Sequence, residues 1–397
     1  MSDIHSNVRI LAPEGKAQAI MREVSRRRFL SVAAITGSAA FLAACSSGGT
    51  DGGTAAEPQA TGGALEDNLS IYTWGDYDSP DVLDGFTSEL GPKITMDSYS
   101  SNEELIAKLV AAKGTSGYDI VVPTGVFVPQ MIENGLLEKF NKDLLPNMEN
   151  LDAAYLGRSW DPSNDYTVCK AWGTTGYVYD KTVITRELTT WNDFFDAAQN
   201  EASGKTSMSD DPAGIIGSYF WANDMDWNTE DTAELDACED FLVNEIAPHI
   251  SAFDSYPGSG GIPQATQVLM QAWNGDARLG IQESPDPERW QWVLPGPQTE
   301  LWMDNWAIAA GAPHPEAAHA FINWSMTPEN LLLNLDYVGF NVGGKDMEQA
   351  AADEGLDYLD MIFFTPEQLE TMHEQELNDS QQRRVEIWSA MKAAAGA

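Results

Sequence analysis

Residues 69–122 read LSIYTWGDYDSPDVLDGFTSELGPKITMDSYSSNEELIAKLVAAKGTSGYDIVV. Three runs in this stretch are rich in strand formers: Leu69–Trp74, Lys93–Tyr99 and Tyr118–Val122. Two helical stretches separate them. Asp81–Leu90 is the first. The second opens at Ser101-Asn102-Glu103-Glu104, a capping box in which the Ser101 oxygen accepts the N–H of Glu104 and Glu104 reaches back. Leu105, Ile106, Leu109 and Val110 fall on one face of that helix, and Gly114 is expected to stop it. Val126–Asn134 reads as a further helix, ended by Gly135. Strand-helix-strand-helix-strand implies parallel strands with helices on both faces, an α/β fold. Ligands in such sheets sit beyond the carboxyl ends of the strands. Trp74–Tyr77 and Thr124–Val126 lie at those ends, so a cleft is expected there.

The theme continues downstream. Tyr166–Tyr179 holds apolar runs broken by Gly173 and Gly176, and Ala265–Trp273 ends at Asn274-Gly275, a turn signal. Trp302–Ala309 reads as a strand. Pro315–Ser325 reads as a helix with proline in its first turn, and Thr327-Pro328-Glu329 opens another. No internal repeat is visible. At 397 residues, two compact domains are the default.

Asp and Glu number 61 against 22 Lys plus Arg, a formal net charge of -39. Phosphate binding needs a basic surface, so nucleic acid is excluded as a partner. The acids are spread along the whole chain, which favours a hydrated surface suited to salty surroundings over a focused field for cations. Hydrophobic residues make up 43% of the chain, enough for real cores.

The first 66 residues read as an address and a leash. Arg26-Arg27-Arg28 precede the apolar stretch Phe29–Ala44, which resembles a twin-arginine export signal and is short for a membrane span. The stretch ends at Leu42-Ala43-Ala44-Cys45, similar to a bacterial lipoprotein cleavage box, which makes residues 1–44 the signal and Cys45 the lipidation site. Residues 45–66 are rich in Gly, Ser, Thr and Ala, a flexible tether. The expected location is the outer face of the cell membrane, at the cell surface or in the periplasm, held by the lipid on Cys45. Cys169 and Cys238 remain as a possible disulfide or as two buried thiols.

Motifs for phosphate loops, dinucleotides, zinc proteases and serine hydrolases are missing from the sequence, and no Cys-His cluster has metal spacing. Neither a metal nor a cofactor is expected, and the chain does not read as an enzyme. His314 and His319 flank a helix start and read as surface residues. What stands out is aromatic beside acid: Trp74-Gly75-Asp76-Tyr77, Trp273-Asn274-Gly275-Asp276 and Trp302-Met303-Asp304, with Asp210-Asp211 after a loop. An alkyl diamine is an apolar rod with a cation at each end. Binding one calls for flat aromatic walls, cation-π faces and a carboxylate at each ammonium. Asp304 carries the strongest case, because it sits inside an apolar run where an unpaired acid is costly. Trp191, Trp306 and Trp324 read as core, and Asp76 as surface.

From Asn68 onward the order YTWGDY (72–77), SNEELIAKL (101–109), YDIVVPT (118–124), WNDF (191–194), WNGDA (273–277), LWMDNWAI (301–308) and AHAFINW (318–324) resembles the spermidine/putrescine-binding proteins of ABC importers. The resemblance implies a type II periplasmic-binding fold, with two α/β lobes joined by two hinge crossovers that close on ligand. Lobe 1 would comprise 67–174 plus 303–347, and lobe 2 would comprise 175–302 plus 348–397. It implies that Trp74 and Tyr77 line the cleft, that Thr124 offers a hydroxyl, and that Trp273 stacks on the alkyl chain. Asp304 would bind an amine beside Trp302. Asp276 matches an acid of putrescine-preferring relatives, and Asp211 one of spermidine-preferring relatives. Phe340 keeps the ring of an expected tyrosine without its hydroxyl. Gly214 and Val126 stand where a glutamate and an aromatic residue are expected, and a glutamine near the C-terminus maps to Glu374 or Gln375. The implied partners are a polyamine, an ABC permease and its ATPase, and the implied receptor is a monomer. A receptor for a quaternary amine or other organic cation, and a secreted two-carboxylate hydrolase, are the alternatives.

Overall fold

The computed structural model describes residues 58–99, 101–112 and 116–396. The signal, Cys45, residues 45–57 of the tether and the Gly114 helix stop lie outside them. Elements β1 (Asn68–Trp74), α1 (Pro80–Leu90), β2 (Lys93–Tyr99), α2 (Asn102–Ala112) and β3 (Ile120–Val121) follow in the expected order. Strand β1 lies between β2 and β3 and runs parallel to both. Ser101 Oγ accepts the N–H of Glu104 at 3.2 Å, as the capping pattern requires. The expected helix over 126–134 is divided: Gly125–Phe127 forms a 3-10 turn, and α3 (Val128–Glu133) begins with proline in its first turn.

The chain continues through β4 (Leu137–Glu138), β5 (Thr167–Asp180), α4 (Trp191–Gln199), β6 (Thr206–Met208), α5 (Pro212–Ala222) and α6 (Thr232–Asp240). Then follow β7 (Ile250–Phe253), β8 (Leu269–Trp273), α7 (Asn274–Glu283), β9 (Trp290–Val293) and β10 (Thr299–Ala309). The last elements are α8 (Pro315–Ser325), α9 (Pro328–Val338), α10 (Met347–Glu354), α11 (Pro366–Leu369), β11 (Met372–His373) and α12 (Gln381–Ala395). The strand order is β2-β1-β3-β10-β5-β8-β6-β7, with β4 and β11 on β10 and β9 on β5.

Two long antiparallel strands at the centre of this order, β5 and β10, organise the fold. Through Thr174 β5 pairs with β10, and from Thr175 it pairs with β8 and β9. Strand β10 pairs with β11 at Thr299–Glu300, with β5 at Leu301–Ala307, and meets β3 at Ala307–Ile308. Each therefore passes from one set of partners to another near the Thr174–Leu301 pair. A separate core lies on each side. Ile71, Phe86, Ile120, Trp306 and Phe321 build the first, and Tyr177, Trp191, Phe194, Trp221 and Ile387 build the second. Trp191 and Trp306 are core residues, as expected, and Trp324 packs against the first core with its indole N–H donating to Val82 O. Ala351 and Ile362 also pack into the first core, so the chain's final passage to the second core comes later than residue 348.

Three local expectations are corrected. Gly173 and Gly176 do not break β5, which is continuous and buried along its length. A Cβ at Gly173 would lie 2.4 Å from Asn274 Oδ1 and 2.7 Å from the Trp302 ring, so glycine here admits its neighbours. Asn274-Gly275 is no turn: it starts α7 directly from β8, with Asn274 Oδ1 accepting the Thr174 N–H at 2.9 Å. His319 is buried, accepting the Asn141 N–H through Nε2 at 2.9 Å. Cys169 and Cys238 are free buried thiols.

Candidate ligand-binding site

The chain leaving β1 turns at Gly75-Asp76 and delivers Tyr77 and Asp78 inward, while Asp76 stays exposed. The chain leaving β3 delivers Thr124, which forms an isolated bridge to Asp304 on β10. These three elements converge on one carboxylate. Thr124 Oγ1 donates to Asp304 Oδ1 at 2.7 Å, and Tyr77 OH donates to Oδ2 at 3.0 Å. Thr124 is itself fixed by Asn102, whose amide donates to Thr124 Oγ1 at 2.9 Å and accepts its N–H at 3.0 Å.

Asp304 is only 7% exposed and forms no ion pair with any described residue. Burial raises its carboxyl to about 6, against the hydrogen bonds from Thr124 and Tyr77 and the charge of Lys170. Lys170 is committed elsewhere. Its ammonium is buried 3.1 Å from Asp78, donates to Tyr77 O, and stands 4.0 Å from the centroid of the Tyr77 ring. It thus braces Tyr77 from behind and leaves Asp304 without a cation.

A row of rings runs away from Asp304. Tyr77 meets Phe340 edge-on at 6.4 Å, Phe340 meets Trp302 at 4.8 Å, Trp302 meets Trp273 at 6.5 Å, and Trp273 meets Tyr256 at 5.9 Å. The Trp302 indole N–H is buried without an acceptor among the described residues. Asp276, in the first turn of α7, closes this end. Its carboxylate accepts the Gly258 N–H at 2.8 Å, and burial lifts it to about 7 despite that bond, with Asp254 adding to the rise. Asp211 caps α5, accepting the Gly214 N–H at 2.7 Å, and burial raises its carboxyl as well. A Cβ at Gly214 would sit 2.9 Å from Ser209 Oγ, and no acid follows Asp211 within α5.

Seven of the sequence-selected residues are therefore linked around Asp304 and the rings: Tyr77, Thr124, Trp273, Asp276, Trp302, Asp304 and Phe340. Asp211 lies at the margin. Trp74 is set apart from the ring row, packing against Tyr99 at 4.7 Å. Glu374 and Gln375 line a crevice shared with Thr124, Val126, Trp160 and Trp302, and Glu374 is paired with Arg158. Sequence reasoning missed Asn102, Lys170, Tyr256 and Glu300. Lys170 carried a signal: it is a lone cation inside the apolar run of β5.

Residues 81–351 match the family described as bacterial extracellular solute-binding protein. The chain belongs to this family. Among solute-binding proteins it is similar to the spermidine/putrescine-binding periplasmic protein of Escherichia coli, at 32% identity over 66% of this chain and 73% of the relative. The spermidine/putrescine-binding periplasmic protein 1 of Haemophilus influenzae is 29% identical over 77% of this chain and 84% of that one. A solved spermidine/putrescine ABC transporter substrate-binding protein from Streptococcus pneumoniae superposes with a TM-score of 0.71 at 25% identity, covering 83% of this chain and 100% of that one. The fold is the two-lobed α/β fold of these binding proteins, with β5 and β10 as its crossovers. Family membership also makes it an exported, solute-binding component of transport.

Proposed function

We propose that this solute-binding protein is the polyamine receptor of an ABC importer. One observation carries the reading: Asp304 is a buried carboxylate with oriented hydrogen-bond donors, no ion pair among the described residues, and a row of aromatic rings leading away from it. A buried unpaired charge is costly, and an ammonium supplies the missing partner. Trp302 and Trp273 give the methylenes of the ligand flat faces, and Asp276 receives a second ammonium. The similarity to polyamine-binding relatives supports the same ligand class. Trp74 and Asp211 border the site.

In this reading the moving bodies are 67–174 plus 303–347 and 175–302 plus 348–397, with Ile362 packing on the first while the adjacent Met361 packs on the second. Ligand bridges them, and the closed form is the one the permease and ATPase engage. The protein acts as a monomer, turns over no substrate, and is carried out by the arginine signal and held by lipid on Cys45. Calorimetric titration with putrescine, spermidine and glycine betaine tests the ligand class. Saturable one-to-one binding of a polyamine is the expected result. Heat with betaine alone would replace the polyamine by a quaternary amine, and turnover of an added glycoside would make the chain a hydrolase.

A further inference from the structure

Glu300 lies four residues before Asp304 on β10, and Trp302 lies between them. Strand residues two apart share a face, so acid, aromatic and acid alternate along one side of β10, where Glu300 pairs with His373 of β11 and Trp302 and Asp304 pair with β5. Glu300 is only 7% exposed and lines the same crevice as Trp302 and Thr124. Its Oε2 accepts the Thr175 hydroxyl at 2.8 Å, and its Oε1 accepts no hydrogen bond from any described residue. Glu300 forms no ion pair there either, and Glu374 on the same crevice is already held by Arg158. This is a second buried carboxylate beside Trp302 and Thr124 with no cation among the described residues to neutralise it.

Position decides what it can bind. The backbone positions of Glu300 and Asp304 are about 13 Å apart along an extended strand. A four-carbon diamine spans only about half of that, so one seated at Asp304 and the nearer rings stops short of Glu300. A linear triamine reaches further. We propose that Glu300 is a specificity-determining carboxylate of this site, receiving the ammonium that a triamine has and a short diamine lacks. This rests on the polyamine reading above. Burial and the neighbouring charges of Asp211 and Asp304 lift the Glu300 carboxyl to about 8, so an arriving ammonium drives off its proton. Asp211, Asp276 and Asp304 are the other acids of the cleft, and they remain in a Glu300 variant.

The test is calorimetric titration of the full chain and its Glu300→Gln variant with spermidine and putrescine near pH 7, in two buffers of different ionisation enthalpy. The expected result is a loss of about 30-fold in spermidine affinity with less than about threefold change for putrescine. Proton release on spermidine binding should fall by nearly one per site, a change that a purely structural role would not produce. A melting curve of the ligand-free variant checks that it folds. If it does not, Thr175→Val, which frees the Glu300 carboxylate, must lower the spermidine-to-putrescine preference. An unchanged preference, or an equal loss for both ligands, overturns the assignment while leaving the polyamine reading standing. A wild-type protein that binds neither ligand removes both.

Discussion

Replacing Asp304 by Asn should weaken polyamine binding and strengthen the empty protein. Asparagine keeps the shape: its oxygen can still accept from Thr124 at the 2.7 Å position, and its amide can face Tyr77 OH. Only the charge is removed. Loss of one member of a buried ammonium–carboxylate pair typically costs ~2–5 kcal/mol, so Kd should rise about 30-fold to a few thousandfold. The ligand-free effect has the opposite sign. Folding raises the Asp304 carboxyl from 3.8 to about 6. The folded chain therefore holds the extra proton in that window, and this group's contribution to stability declines as pH rises through it. Above the window the ionised carboxylate costs the empty fold about 3 kcal/mol, which asparagine does not incur. Calorimetry on the two proteins gives the affinities. Thermal melting at pH 7 without ligand should show the variant a few degrees higher. Unchanged affinity would remove Asp304 from the site. Weaker binding together with a lower melting temperature would mean that the substitution damaged the fold, and the charge argument would fail.

Polyamine affinity should fall as pH drops from 8 to 5.5, because Asp276 takes its proton near 7 and Asp304 near 6; titrations across that range check the sign. Lys170→Met should destabilise the protein by ~3–5 kcal/mol in denaturant melts, since Asp78 would be left buried and unpaired and Tyr77 would lose its brace. Gly173→Ala should cost about 1–3 kcal/mol and weaken ligand binding as well, because the new methyl overlaps Asn274 and the Trp302 ring; wild-type behaviour in both assays would contradict the packing seen there.

Much of the molecule was legible in the order of its residues. Hydrophobic period and punctuation located β1, α1, β2, α2 and α8, because local propensity and burial agree in those segments. Asp304 stood out for a related reason: an acid inside an apolar strand requires a partner, and the described residues give it two hydroxyl donors but no ion pair. Other features are properties of the assembled fold. Gly173 and Gly176 read locally as breaks, yet β5 runs through both, since the space a side chain would need is taken by residues far along the chain. Asn274-Gly275 reads as a turn, and contacts to Thr174 and Met361 convert it into a helix start. Glu300 and Lys170 are ordinary charged residues in the sequence. Only the assembled sheet, with β11 and β5 each on part of β10, buries Glu300 at the crevice with a hydroxyl but no cation among the described residues, and Lys170 against Asp78. Period and composition are read over neighbours a few residues apart, whereas the charge state and partners of a buried group depend on what the fold brings from distant parts of the chain.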